Sequence, residues 1–160
     1  MERFVDREME MDTLQNEYRR NGSSLVVLYG RRRVGKTTLI NEFIKGKKAL
    51  FFLASEESEV QNRNSFKEKA AEFIDSDLLR NASVSNWDAI FKAMMDYSFD
   101  TKPVIVIDEF QYLGKTNPAF PSVFQRIWEE QLKDKSVMVI LCGSLISMME
   151  SQTLAYGSPL

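Results

Sequence analysis

Gly30-Arg31-Arg32-Arg33-Val34-Gly35-Lys36-Thr37 reads G-x-x-x-x-G-K-[ST], a complete P-loop pattern. Two glycines let the backbone turn tightly enough for successive N–H groups to point inward at a phosphate. Lys36 adds a point charge for the β- and γ-phosphates, and the Thr37 hydroxyl is a candidate Mg²⁺ ligand. Mg²⁺ keeps most of its waters and takes few protein ligands, so one hydroxyl and one carboxylate suffice. Thr38 belongs to the same candidate stretch.

The flanks strengthen the reading. Leu25-Val26-Val27-Leu28-Tyr29 is a short unbroken apolar run that suits a strand buried on both faces. Downstream, Leu39, Ile40, Phe43 and Ile44 form two i,i+4 apolar pairs, and Gly46 is placed to stop the helix. A strand, a glycine loop and a helix put the phosphate at a helix N-terminus as well. A glycine-rich turn with a spare lysine is the plainer alternative, and it does not account for this setting.

A second stretch carries acids. Val104-Ile105-Val106-Ile107-Asp108-Glu109 is a buried strand ending in carboxylates, at the sheet edge where open α/β folds bind ligands. Asp108 is a candidate for the hydration shell of Mg²⁺ beside Thr37, and Glu109 for polarising a water in line with the γ-phosphate. Val137-Met138-Val139-Ile140-Leu141-Cys142 is a further apolar strand ending in Gly143-Ser144. If it neighbours the acid-tipped strand, Ser144 lies level with Asp108 and can sense the γ-phosphate or the water. The alternative is a plain turn serine.

The remaining segments read as scaffold. Asp6 is a plausible N-cap for a helix whose Met11, Leu14 and Tyr18 share a face, ended by Asn21-Gly22. Phe4 and Val5 lie against a nucleotide base, or that helix simply covers a sheet edge; an apolar contact to a base needs no special spacing. Residues 49–54 read as a second buried strand, and 55–59 as a solvated loop and first helical turn rather than a metal loop. Phe66, Ala70 and Phe73 make one core-facing stripe. Ser85-Asn86-Trp87-Asp88 starts another helix, with Trp87, Ile90, Phe91, Met94 and Met95 on its apolar face. Residues 114–121 read as a loop broken by Asn117-Pro118 and Pro121, followed by a helix with Phe124, Ile127, Trp128 and Leu132. The tail, 151–160, looks unanchored.

Bulk properties narrow the chemistry. A chain of 160 residues fits one domain with one sizeable core, and 44% hydrophobic with 28% charged content is ordinary for a globular protein. A net charge of -2 provides no electrostatic footprint for nucleic acid or an anionic membrane, and residues 31–33 are the one dense basic cluster. The chain has no histidine, which excludes Ser-His and Cys-His nucleophilic sites and His-ligated metals. Its single cysteine, Cys142, reads as a small buried hydrophobe. The N-terminus has no apolar signal region and no run reaches membrane-span length, so a cytoplasmic protein is expected.

With these stretches in place, the chain resembles the archaeal-type ATPases of the AAA+/STAND group of P-loop proteins. The resemblance rests on Phe4-Val5-Asp6-Arg7-Glu8, the triple arginine within the P-loop, Asp108-Glu109-Phe110-Gln111-Tyr112-Leu113 and Cys142-Gly143-Ser144. It implies a three-layer αβα P-loop fold of the additional-strand type, with parallel strand order 5-1-4-3-2 and helices on both faces. It also implies ATP rather than GTP, and no Asn-Lys-x-Asp guanine-reading string occurs. It brings the Phe4-Val5 segment near adenine. Family members continue into a lid, a winged-helix region and a further domain. The expectation is therefore that residues 1–160 are a truncated ATPase core, with the fifth strand, lid sensor and arginine finger beyond it. Arg126 precedes the last apolar strand and is not assigned the finger role.

The expected activity is Mg²⁺-dependent ATP binding and slow hydrolysis, coupled to conformational change in a longer protein through self-association or its C-terminal domains. The alternative is a switch or assembly module that binds ATP or ADP and does not hydrolyse it. A small-molecule kinase fits less well, because a kinase must exclude the water that Glu109 would activate. No membrane or direct nucleic-acid contact is expected.

Overall fold

Parallel strands buried on both faces need apolar residues at successive positions, and their side chains alternate between two apolar layers. The computed structural model, which describes residues 2–29, 35–143 and 158–159 and the side chains of 9–28 and 35–143, shows that alternation directly. Leu25 and Val27 of β1 (Ser24–Tyr29) enter one layer, while Val26 and Leu28 enter the other. β3 (Val104–Asp108) divides in the same way, with Ile105 and Ile107 in the first layer and Val104 and Val106 in the second. Val139 and Leu141 of β4 (Met138–Gly143) join the first layer, and Met138, Ile140 and Cys142 the second.

With β2 (Ala49–Leu53) and β5 (Ser158–Pro159), the strands form one parallel sheet in the order β2-β3-β4-β1-β5. This is the expected 5-1-4-3-2 order. The expectation that the fifth strand lies beyond the chain is corrected: Val26 and Val27 pair with Ser158 and Pro159. Two residues on a sheet edge leave no apolar run to read, and the edge is where a sheet tolerates proline.

Helices cover both faces. α1 (Glu2–Arg19) and α2 (Lys36–Ile44) supply Leu14, Leu39, Ile40 and Phe43 to the second layer. α3 (Glu59–Phe73), α4 (Asp77–Asn81) and α5 (Trp87–Met95) pack into the first. α6 (Gln111–Thr116), α7 (Phe120–Ile127) and the π-helical turn Trp128–Leu132 that extends α7 complete that face. Phe66 is its hub, 5.2 Å from Phe52 and from Phe91 and 5.4 Å from Trp87, centroid to centroid.

Two local expectations change. Asp6 lies inside α1 rather than capping it, because Glu2, Arg3 and their neighbours are adequate helix formers and nothing there stops the helix. The loop expected over 114–121 is mostly helical: α6 contains Gly114, and Pro121 sits in the first turn of α7, where a missing N–H costs nothing. α3 begins with a capping box: the Gln61 backbone N–H donates to Ser58 Oγ at 3.1 Å, and the Ser58 N–H to Gln61 Oε1 at 3.2 Å.

Asn62, 1% exposed, ties the loop after β2 to α3. Its Oδ1 accepts from the Ser55 N–H at 3.1 Å, and its Nδ2 donates to the Ser55 carbonyl at 3.0 Å. Replacing it strands a buried donor and acceptor together, so Asn62→Ala is expected to destabilise the fold by about 1–3 kcal/mol. Urea unfolding checks this, and an unchanged midpoint contradicts it.

Candidate functional site

All five strands run the same way, so their C-terminal ends share one edge of the sheet. β4 lies between β1 and β3, with Tyr29 opposite Gly143 and Ile107 opposite Leu141. The end of β1 and the acids ending β3 therefore flank the end of one strand. The neighbourhood required to bring Ser144 level with Asp108 is present, since β3 and β4 pair; Ser144 itself lies outside the described residues. So do Gly30, Arg31, Arg32, Arg33 and Val34 of the P-loop. Phe4 and Val5 belong to α1, and their side chains are likewise outside the description.

The chain re-enters at Gly35, the N-cap of α2, with φ 79 and ψ 25. This left-handed conformation suits glycine and explains why the pattern requires one immediately before the lysine. The Gly35 carbonyl accepts from the Leu39 N–H at 3.0 Å, so α2 is closed from its first turn. Lys36 is its first residue, with Thr37 and Thr38 exposed beside it. The positive dipole end of this helix favours an anion.

Across the edge, Glu109 is held at φ 54, a conformation that costs a non-glycine residue about 1–2 kcal/mol. Three hydrogen bonds fix the turn. The Glu109 N–H donates to Asp108 Oδ1 at 2.8 Å, the Phe110 N–H to the Cys142 carbonyl at 2.8 Å, and the Ala54 N–H to the Asp108 carbonyl at 3.0 Å. Burial pushes the Asp108 carboxyl above the ordinary carboxylate range. The Glu109 charge adds to that shift, while the Glu109 N–H and the Lys36 ammonium oppose it. Cys142 is buried beneath, its thiol pushed well up by burial and then by the Asp108 charge. It is a buried hydrophobe, as its apolar run indicated.

Glu109 Oε1 accepts from Gln111 Nε2 at 2.8 Å, and Gln111 is only 1% exposed. The sequence contains no signal for this contact. Residues two apart do not face one another on a helix, and they meet here because Glu109 takes its left-handed turn immediately before α6.

Other candidates resolve into scaffold. Glu59 Oε2 accepts from Trp87 Nε1 at 3.0 Å and Asn117 Nδ2 at 3.2 Å, which joins α3, α5 and the segment before α7. Arg126 lies on α7 and grips Asp88 through both carboxylate oxygens, Nε donating to Oδ2 at 3.1 Å and Nη2 to Oδ1 at 2.9 Å and Oδ2 at 3.0 Å. Cavities of about 320 and 390 Å³ open at the opposite edge of the sheet, around Tyr97, Phe99 and Lys102 and around Lys92, Glu130 and Lys135. They lie before the starts of β3 and β4, a strand's length from the acids.

A divalent cation fits this donor set in one way. Among the described residues, no group of three or more His, Cys, Asp or Glu side chains is placed to enclose a metal. One hydroxyl, Thr37, and one carboxylate, Asp108, are hard oxygen donors suited to an ion that completes its shell with water and phosphate. Burial first, and then the neighbouring Glu109 charge, disfavour an ionised Asp108, and a cation beside the carboxylate would offset both. No described helix is long and apolar enough to cross a membrane.

The family of ATPase domains predominantly from Archaea matches residues 4–160, and the chain belongs to it. It is 35% identical over 157 residues to an uncharacterized protein of Methanocaldococcus jannaschii, covering 98% of this chain and 33% of that one. A second protein of that organism, described as an uncharacterized ATP-binding protein, is 49% identical over 45 residues, covering 28% of this chain and 76% of its own length. Among solved structures, the Walker-type ATPase of Pyrococcus abyssi superposes with a TM-score of 0.69 at 18% identity, covering 92% of this chain and 47% of that one. The chain thus spans a third to a half of two of these longer proteins.

Proposed function

We propose that this chain, as a member of that ATPase family, binds ATP with Mg²⁺ at the edge between the α2 N-terminus and the end of β3, and hydrolyses it slowly. The observation that carries the reading is the pairing of a helix N-terminus, opened by Gly35-Lys36-Thr37, with a strained Asp108-Glu109 turn across one strand.

In this reading the P-loop amides of residues 30–35 and Lys36 hold the phosphates. Thr37 and Asp108 hold Mg²⁺, which supplies charge neutralisation on the phosphate oxygens. The Glu109 carboxylate orients a water and takes its proton as oxygen attacks the γ-phosphorus and the bond to ADP breaks. Ser144 senses the γ-phosphate, and Phe4 and Val5 lie against adenine. An arginine finger is worth about 10³–10⁵ in rate. Arg126 is committed to Asp88, so the isolated chain is slow until another copy or domain supplies one. The nucleotide state is passed to further domains or self-associated copies in the cytoplasm.

Phosphate release under single-turnover conditions tests this. ATP is expected to be cleaved slowly with Mg²⁺ and not at all after EDTA. Equal release in EDTA contradicts the metal assignment, and tight binding with no release favours the non-hydrolysing switch.

A further inference from the structure

We propose that Gln111 is a positioning residue for Glu109: its buried side-chain amide aims the carboxylate that activates water, and so sets the rate of cleavage without setting nucleotide affinity. This rests on the role of Glu109 proposed above.

Three observations converge on the pair. The 2.8 Å bond from Gln111 Nε2 to Glu109 Oε1 joins a neutral donor to an ionisable acceptor, a type stronger and more directional than a neutral pair. Gln111 is 1% exposed at the start of α6, between Phe110 and Leu113, both fully buried, so its amide cannot swing away. The Glu109 backbone is strained at φ 54, and that turn is what brings residues two apart within reach. A glutamate side chain has several staggered rotamers. A fixed donor on one carboxylate oxygen favours those that keep the 2.8 Å bond. Asp108 is locked separately by the Glu109 N–H, so each acid of the turn has its own restraint.

A filler of a buried gap would behave differently from an aiming group, and a double-mutant cycle separates them. Gln111→Met keeps the length and removes the donor. Misplacing a reacting group can cost about 10²-fold, so single-turnover cleavage by Gln111→Met is expected to fall about 10- to 100-fold. ATP affinity stays within about twofold, because the lost interaction acts on the chemical step. In a Glu109→Gln background the same change is expected to have no further effect on cleavage. Gln111→Asn keeps the amide but shortens its reach, and its rate should fall between those of wild type and Gln111→Met.

A wild-type rate in Gln111→Met overturns the proposal, as does a double variant that loses rate by the product of the two single effects. If Glu109→Gln alone leaves cleavage unchanged, the role of Glu109 fails first, which identifies the other reading as the one in error. Should Gln111→Met not fold, NMR of the ligand-free chain decides: the Gln111 side-chain amide resonances must move in Glu109→Gln. Unmoved resonances overturn the pairing.

Discussion

Lys36→Ala is expected to bind ATP about 100-fold more weakly than the wild-type chain. An interaction with a charged group contributes roughly 1.5–3 kcal/mol, and each 1.4 kcal/mol is tenfold in affinity. Lys36 opens α2 directly after the left-handed Gly35. Its charge lowers the Asp108 carboxyl against the effect of burial, so the two groups lie at the same edge of the sheet. Alanine is a good helix former, so the loss should appear in binding and leave the fold intact. Calorimetric titration with Mg²⁺ and ATP, alongside a thermal melt of both proteins, checks this. Equal affinity in the variant removes Lys36 from the site.

The second large effect belongs to Glu109→Gln. General-base catalysis contributes about 10²–10⁴-fold, so cleavage should fall by that factor while ATP still binds. Affinity is expected to hold or rise, because the substitution removes a negative charge that adds to the upward shift of Asp108. Glutamine can still accept from the Gln111 amide, so the turn at φ 54 is retained. Rapid-quench measurement of ADP formation separates the two properties. Full turnover in Glu109→Gln dismisses it as the base and returns the small-molecule kinase and other readings to consideration.

Much of the architecture was legible because parallel strands buried on both faces need continuous apolar runs. Residues 25–29, 104–107 and 137–142 supply those runs, and each is a strand in the sheet. The helices after them were legible wherever a stripe at helical spacing had a sheet to cover, as with Leu39, Ile40 and Phe43 or with Trp87, Ile90, Phe91 and Met94. Asn86 caps that second helix by accepting from the Ala89 N–H at 2.9 Å, as its type and place suggested.

Apart from the Ser58–Gln61 capping box, the features that the sequence does not show depend on non-local contacts or on one backbone angle. β5 is two residues that take strand geometry from β1, with no pattern of their own. Residues 114–121 read as a loop because they carry a glycine and two prolines, whereas α6 derives its stability from burial of Gln111 and Leu113, not from propensity. The capping box at Ser58 and Gln61 was legible as S-x-x-Q and was passed over in an acidic stretch. The Glu109–Gln111 contact had no trace in the sequence, since it depends on one backbone angle that residue type does not specify.

The most direct test of the site is to replace Mg²⁺ with Mn²⁺ and record which backbone amides of the ATP-bound chain lose their NMR signals. Loss is expected at Gly35, Lys36, Thr37, Asp108 and Glu109, with signals intact at Tyr97, Phe99 and Lys102 beside the cavity at the opposite edge. Broadening centred on that opposite edge, or ATP binding without broadening at Thr37 and Asp108, would contradict it.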